Sequence, residues 1–549
     1  MRAMSMVNTT GYCTLLLCLL MHSFSSTHVH AASSSSSASL CDLTPHPAFC
    51  RSQEPSNKPT NIHDFGRSTV KKALTASIAL SKSINRYLNS KTSPSSSSQT
   101  VILALEDCQF LLDKNIDILS SIAQTLKDKD TLDRQQYEDL HTQFSATITD
   151  KQTCIDGLIF AASSSSSIVK DISPPLSNGS MLCSISLAFF KHGWAPPGTK
   201  SRSLEESFPL SSSSFSHRKL LQLKGVKINQ TVTVNPNGSG NYITITDAIL
   251  AAPNDTQYGQ GYYLIRVAAG IYQEYINIAS NKKYLMMVGD GINQTIITGN
   301  HSVDDGWTTF SSATFVTNGQ SFIGVNLTIR NTAGAIKHQA VALRNDADFS
   351  VFYQCSFEGY QDTLYTHTMR QFYRECDIYG TVDYIFGDAN VVFQHCNIYS
   401  RLPLKGQTNT VTAQGKTDIN QNTGTTIHDC KIKAADDLLP SINTTKTYLG
   451  RPWKNFSTTI VMESFMDTLI NPAGWLPWNG SQSLDTLYYA EYNNTGPGSN
   501  TTNRVTWPGY HIITNGADVL NDTVSALISG DFWLPSTGVP YTSLLLYYP

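Results

Sequence analysis

Two stretches decide the fold. FYQCSFEGYQD runs from Phe352 to Asp362, and YRECDIYGTVD runs from Tyr373 to Asp383. Each places an apolar ring three residues before a cysteine and an aspartate seven residues after it (Cys355 to Asp362, Cys376 to Asp383). The pattern continues outward. Phe393 and Ile427 precede Cys396 and Cys430 by three, and Phe357, Ile378, Ile398 and Ile432 follow the four cysteines by two. Phe322, Val325 and Leu327 fit the same frame with valine in the cysteine position, giving spacings of 30, 21, 20 and 34 residues. A unit near 20 residues with loop insertions is the mark of a solenoid of short strands. The Val, Ile, Thr, Phe and Tyr content and the Gly and Asn at bends favour strands over helices. Residues 226–549 therefore read as a right-handed parallel β-helix; an ordinary β-sandwich with chance cysteine spacing is the alternative.

In such a coil, equal offsets land side by side on strands about 4.8 Å apart. Asp362 and Asp383 would then share one patch of surface, a costly arrangement unless the two carboxyls have different protonation states and a use.

The chain has 549 residues and a formal net charge of −3, so neither its length nor its charge suggests nucleic acid as a partner. Residues 1–32 read as a secretory signal peptide, with Arg2, an apolar run from Tyr12 to Met21, and small residues at Ala31 and Ala32. A retained signal anchor is the alternative. Sequons at Asn178, Asn229, Asn293, Asn443 and Asn521 suit a secreted glycoprotein, whereas that at Asn326 falls on an expected core strand.

Residues 41–190 have a different character. Apolar positions recur at helical spacing from Val70 to Leu88 and from Val101 to Leu119, and further helices are expected over Asp133–Phe160 and Asn178–Phe190. These make an all-α four-helix bundle. Cys41 and Cys50 flank the short segment CDLTPHPAFC, Cys108 and Cys154 lie on different expected helices, and Cys183 is left over. An oxidising compartment makes the β-helix cysteines disulfide candidates too. Cys355–Cys376 and Cys396–Cys430 are the favoured pairs, although spacing does not fix connectivity. Residues 191–225 have linker composition, and Arg218-Lys219 is a dibasic processing site within them.

The runs Gly270–Glu274, Gln339–Leu343, Gly359–Leu364, Gly380–Gly387 and Leu449–Trp453 (LGRPW) together resemble plant pectin methylesterases over the stretch from Val226 to the C-terminus. The bundle resembles the pectin methylesterase inhibitor domain found as a pro-region on one class of them, with Cys41, Cys50, Cys108 and Cys154 at that family's bonded positions. RKLL resembles the processing motif. The resemblance implies a secreted cell-wall hydrolase that demethylates homogalacturonan through an aspartyl acyl-enzyme. It implies no cofactor or metal, a monomer, and two protein partners: a processing protease and its own pro-region.

The same resemblance implies roles. Asp383 would be the nucleophile, kept ionised and aimed by Arg451. Asp362 would be the general acid and then base, its pKa raised by its neighbour. Gln339 and Gln361 would donate to the oxyanion. Thr309, Phe386 and Trp453, with Gln339 and Arg451, would contact the substrate.

Departures from the family pattern are Tyr384, whose hydroxyl needs a partner, Ala335-Ile336, and Lys416 in place of arginine. The sequon at Asn455 would put a glycan near Trp453. His338 invites a Ser–His reading, but no Gly-x-Ser-x-Gly elbow accompanies it. Two other functions compete. One is a catalytically silent secreted inhibitor or wall-binding protein, disfavoured because both aspartates, both glutamines and Arg451 occur together. The other is a lyase or polygalacturonase on the same coil, which needs a Ca²⁺ site or differently spaced aspartates.

Overall fold

In the computed structural model, residues 39–54, 61–89, 99–162, 167–197 and 225–546 are described. The signal peptide and Arg218-Lys219 lie outside the described residues.

Alternation of inward apolar and outward polar residues along short strands generates three parallel sheets of 11, 7 and 8 strands. Every pairing between these strands is parallel, and successive coils stack in register. The repeat read from the sequence is visible as columns inside the coil. Phe352, Tyr373, Phe393, Ile427 and Val461 are register partners in turn. The rings of Phe352 and Tyr373 stack at 5.4 Å, and those of Tyr373 and Phe393 at 4.8 Å. Phe357, Ile378, Ile398, Ile432 and Met466 form a second column. Gln354, Glu375, His395 and Asp429, each just before a cysteine, hold positive φ and turn the chain at every coil.

Two expectations are corrected here. The first concerns the coil before Cys355. Val325 pairs with Tyr353 and Ile329 with Phe357, so Leu327, not Val325, occupies the cysteine position. Val325 instead faces the outer cluster with Tyr353, while Leu327 and Ile329 face the coil interior. Gly324 decides between the two registers. A Cβ there would come 2.8 Å from the Phe352 ring, so the ring fills the space a side chain would need.

The second concerns the disulfides. Cys41–Cys50 and Cys108–Cys154 are bonded, but Cys355, Cys376, Cys396 and Cys430 are free and buried. They follow one another coil over coil, and each thiol has a backbone carbonyl within reach. Cys376 Sγ donates to Phe352 O (3.4 Å), Cys396 Sγ to Tyr373 O (3.5 Å) and Cys430 Sγ to Phe393 O (3.4 Å). Ser464 continues the ladder and accepts the Cys430 N–H at 3.0 Å.

Four long helices precede the coil: α1 (Ile62–Asn89), α2 (Gln99–Leu126), α3 (Arg134–Ala161) and α4 (Ser167–Gly193). Asp133 caps α3, its carboxylate accepting the Gln136 N–H at 2.8 Å. The sequence places the start of the last helix at Asn178, after Pro174-Pro175, whereas α4 runs through both prolines from Ser167. Val169, Ile172 and Leu176 are buried on its inner face, and that packing outweighs the lost backbone hydrogen bonds.

The seven-stranded sheet carries the site. In chain order its strands are β1 (Ile276–Ile278), β2 (Phe315–Thr317), β3 (Leu343–Asn345), β4 (Leu364–Thr366), β5 (Ile385–Gly387), β6 (Asn409–Gln414) and β7 (Thr447–Gly450), stacked in that order. The helices α2 and α3 rest on this face. Apolar residues of both parts, among them Cys108, Phe310, Tyr365 and Phe386, form one buried cluster.

Candidate active site

Asp362 and Asp383 enter β4 and β5 from the same side. Leu364 pairs with Ile385, and the Asp362 N–H donates to Val382 O at 3.0 Å, so the two aspartates are neighbours on adjacent coils. Both are buried, at 8% and 5% exposure. Both hold positive φ, 61° and 52°, a conformation asparagine and aspartate tolerate better than most residues. Close packing supports the turn into β5: a Cβ on Gly380 would stand 2.1 Å from Tyr384 Cβ. The extra hydroxyl of Tyr384 has its partner, Ser400 Oγ, at 3.0 Å.

Arg451, just after β7, reaches across to Asp383. Its Nε donates to Oδ1 at 2.8 Å and its Nη2 to Oδ2 at 2.6 Å, a bidentate charge-assisted pair. Thr410, on β6, adds two bonds. Its hydroxyl donates to Asp383 Oδ1 at 2.6 Å and accepts the Asp383 N–H at 2.8 Å. The carboxylate thus accepts three hydrogen bonds, two of them from a guanidinium. Asp362 has none of these. Burial first, and then the charge of Asp383, hold its carboxyl well above the usual range, with Arg451 acting in the opposite sense. The two acids therefore sit in unlike surroundings, one paired with a cation and the other buried beside a like charge.

Gln339 and Gln361 are half-buried and form a parallel bridge beside Asp362. The Ala340 N–H donates to Gln361 O at 3.2 Å, which ties their backbones together. Phe386 stacks on Tyr365 at 4.2 Å and meets Trp453 edge-on at 6.1 Å. Trp453 packs over Gly415, where a Cβ would come within 2.9 Å of its ring. Thr309 is half-buried, while its neighbour Thr308 is the one engaged, bonded to Asp107 of α2. His338 lies 4.0 Å from Asp304, away from the acid pair.

Sequence reasoning misses two contributors. Thr410 has no repeat partner to mark it. The Trp478 ring lies 4.3 Å beneath the Arg451 guanidinium and comes from a loop without any pattern.

The geometry suits acyl transfer: a carboxylate braced by a guanidinium beside an acid whose pKa is raised, with two amides and a pair of aromatic faces nearby.

Comparison with known proteins agrees. The pectinesterase family model matches residues 231–531, and the plant invertase/pectin methylesterase inhibitor model matches residues 35–189. The chain is 50% identical to a probable pectinesterase/pectinesterase inhibitor 20 of Arabidopsis thaliana, over 97% of this chain and 98% of that one. It is 47% identical to pectinesterase 2 of Citrus sinensis, over 80% and 81% of the two chains. The solved structure of pectin methylesterase from carrot covers 57% of this chain and 98% of its own, at 50% identity and a TM-score of 0.56.

Proposed function

This chain belongs to the pectinesterase family, and from that membership we propose that Asp383 and Asp362 divide the work of ester hydrolysis. The reaction converts methyl esters of pectin to pectate and methanol. Asp383 attacks the ester carbonyl of a methylated galacturonate unit. The Gln339 and Gln361 amides donate to the oxyanion that forms. Asp362 gives its proton to the departing methoxide, leaving the sugar's acyl group on Asp383. Water then enters, Asp362 takes back a proton, and attack of the hydroxide on the acyl carbon releases pectate and restores the Asp383 carboxylate.

One observation carries this reading: Arg451 and Thr410 aim three hydrogen-bond donors at the Asp383 carboxylate, while burial and the charge of Asp383 push the neighbouring Asp362 carboxyl well above its usual range. Thr309, Phe386, Trp453 and Arg451 line the substrate path in this account. The direct assay is methanol release from methylated pectin with polymer length followed in parallel. Methanol with an uncut chain supports the esterase; chain shortening points to a lyase or hydrolase.

We read the full chain as a precursor that is inactive until the bundle leaves. Three contacts across the face support this. Thr149 donates to Asp388 at 2.5 Å, Arg370 pairs with Asp139 at 2.7 Å, and Phe386 and Trp453 pack in a cluster shared with α2 and α4. Cleavage at Arg218-Lys219 by a secretory-pathway protease would free the β-helix, which then acts as a monomer in the cell wall, where methylated pectin is found. No helix among the described residues is long and apolar enough to cross a membrane.

A further inference from the structure

We infer that Lys454 is a binding site for the carboxylate of an unesterified galacturonate unit, and that Asp156 of the bundle occupies it in the precursor. The inference rests on the esterase reading and names a substrate feature that reading leaves open.

Lys454 follows Trp453 directly and lies three residues beyond Arg451, so it belongs to the wall of the same groove. Its Nζ stands 5.2 Å from the centre of the Trp453 ring. Among the described residues its sole ion-pair partner is Asp156 on α3, at 2.8 Å. No carboxylate of the β-helix pairs with it. The Gln152 amide donates to Asp156 Oδ1 at 2.9 Å and fixes the acid's direction. Lys454, Trp453, Gly387 and Gly415 line one narrow gap, which Gln152 and Asp156 close from the bundle side.

When the bundle departs, a cation beside an indole face loses its counter-charge. A sugar acid satisfies both features, with its ring against the tryptophan and its carboxylate on the ammonium. A methyl ester at that position has no charge to offer. The reaction itself makes such carboxylates, so a chain already demethylated nearby binds better than a fully methylated one. Elsewhere the bundle sets further carboxylates against the β-helix, Asp107 on Thr308 and Asp139 on Arg370.

The test uses calorimetry with an unesterified oligogalacturonate. The titrated protein is the β-helix portion, the part that the carrot structure spans, as wild type, Lys454→Gln and Lys454→Arg. Roughly tenfold weaker binding is expected for Lys454→Gln, with recovery in Lys454→Arg. A fully methyl-esterified oligomer should separate the three proteins by less than about twofold, because it lacks the charge that is lost. Equal binding of the unesterified oligomer by wild type and Lys454→Gln overturns the proposal. An equal loss for both oligomers also overturns it, since that marks a structural role. In the full chain nicked in the linker, unesterified oligomer should release the bundle at concentrations where the esterified one does not; equal release contradicts the mimicry. Methanol release is a separate readout, so failure of the esterase reading cannot be mistaken for failure of this site.

Discussion

At the scale of the residue, the site depends on unequal treatment of two like groups. Asp383 has Arg451 and Thr410; Asp362 has burial and a negative neighbour. Asp362→Asn should therefore cut turnover by about 10²–10⁴-fold, the usual worth of a general acid–base, and kcat should fall while KM changes little. Stability should move the other way. A carboxyl whose folded pKa is raised stabilises the fold below its unfolded pKa, and that stability is lost as pH rises towards the folded value. The wild type bears this loss and Asp362→Asn does not. Thermal melts should show the variant more stable near neutral pH and the gap closing in acid, below about pH 4. An equal gap at every pH would refute the raised pKa. Thr410→Val removes both of its bonds to Asp383 and should lower kcat by about tenfold or more. The acid pair was legible in the sequence because the cysteine-to-aspartate offset repeats. Thr410 and Trp478 were not, because each acts through a contact that only the closed coil creates.

At the scale of the element, the coil is held by columns that a 20-residue period exposes and by close approaches that it does not. The columns Phe352–Tyr373–Phe393 and Phe357–Ile378–Ile398 follow directly from spacing. The register of the Phe322–Leu327 segment did not, since Val325 and Leu327 are both apolar and one faces the outer cluster while the other faces the coil interior. Nor did the state of the cysteines: adjacent thiols are expected of either a bridge or a ladder, and backbone carbonyls within reach of each sulfur favour the ladder. Thiol titration of the unfolded β-helix portion should count all four of Cys355, Cys376, Cys396 and Cys430 as reduced. Finding two or none would restore the bridged reading. The helix through Pro174-Pro175 was hidden for the opposite reason. Local propensity forbids it, and only the burial of Ile172 and Leu176 overrides that.

At the scale of the whole molecule, the seam between bundle and coil was the least legible feature. His141, Ser145, Thr149 and Thr153 recur every fourth residue on α3, a polar stripe whose partner the spacing does not name. In the structure they meet Asn420, Asn422, Asp388 and His367, at 2.8, 3.0, 2.5 and 2.8 Å respectively. A polar stripe and a docking stripe are the same pattern until the partner surface is known. The seam also titrates. Burial pushes Asp107 up to about 6, with the Thr308 hydroxyl and Arg344 opposing it. Released into water, the acid returns to the ordinary range near 3.9. Seated Asp107 therefore keeps a proton between about pH 4 and 6, and its contribution to seating falls across that range, while buried His141, lowered to about 4, works in the opposite sense. On size exclusion of the nicked chain, Asp107→Asn should retain the bundle better than wild type at about pH 6 and above, with the difference shrinking as pH falls to about 4; the reverse trend would reject the raised Asp107 pKa.

The account stands on Asp383 as the attacking group, and methanol release by Asp383→Asn tests that most directly. The β-helix portion carrying this change should keep its thermal melt and lose at least about 10³-fold of its rate on methylated pectin. A folded Asp383→Asn protein within about tenfold of the wild-type rate would contradict it.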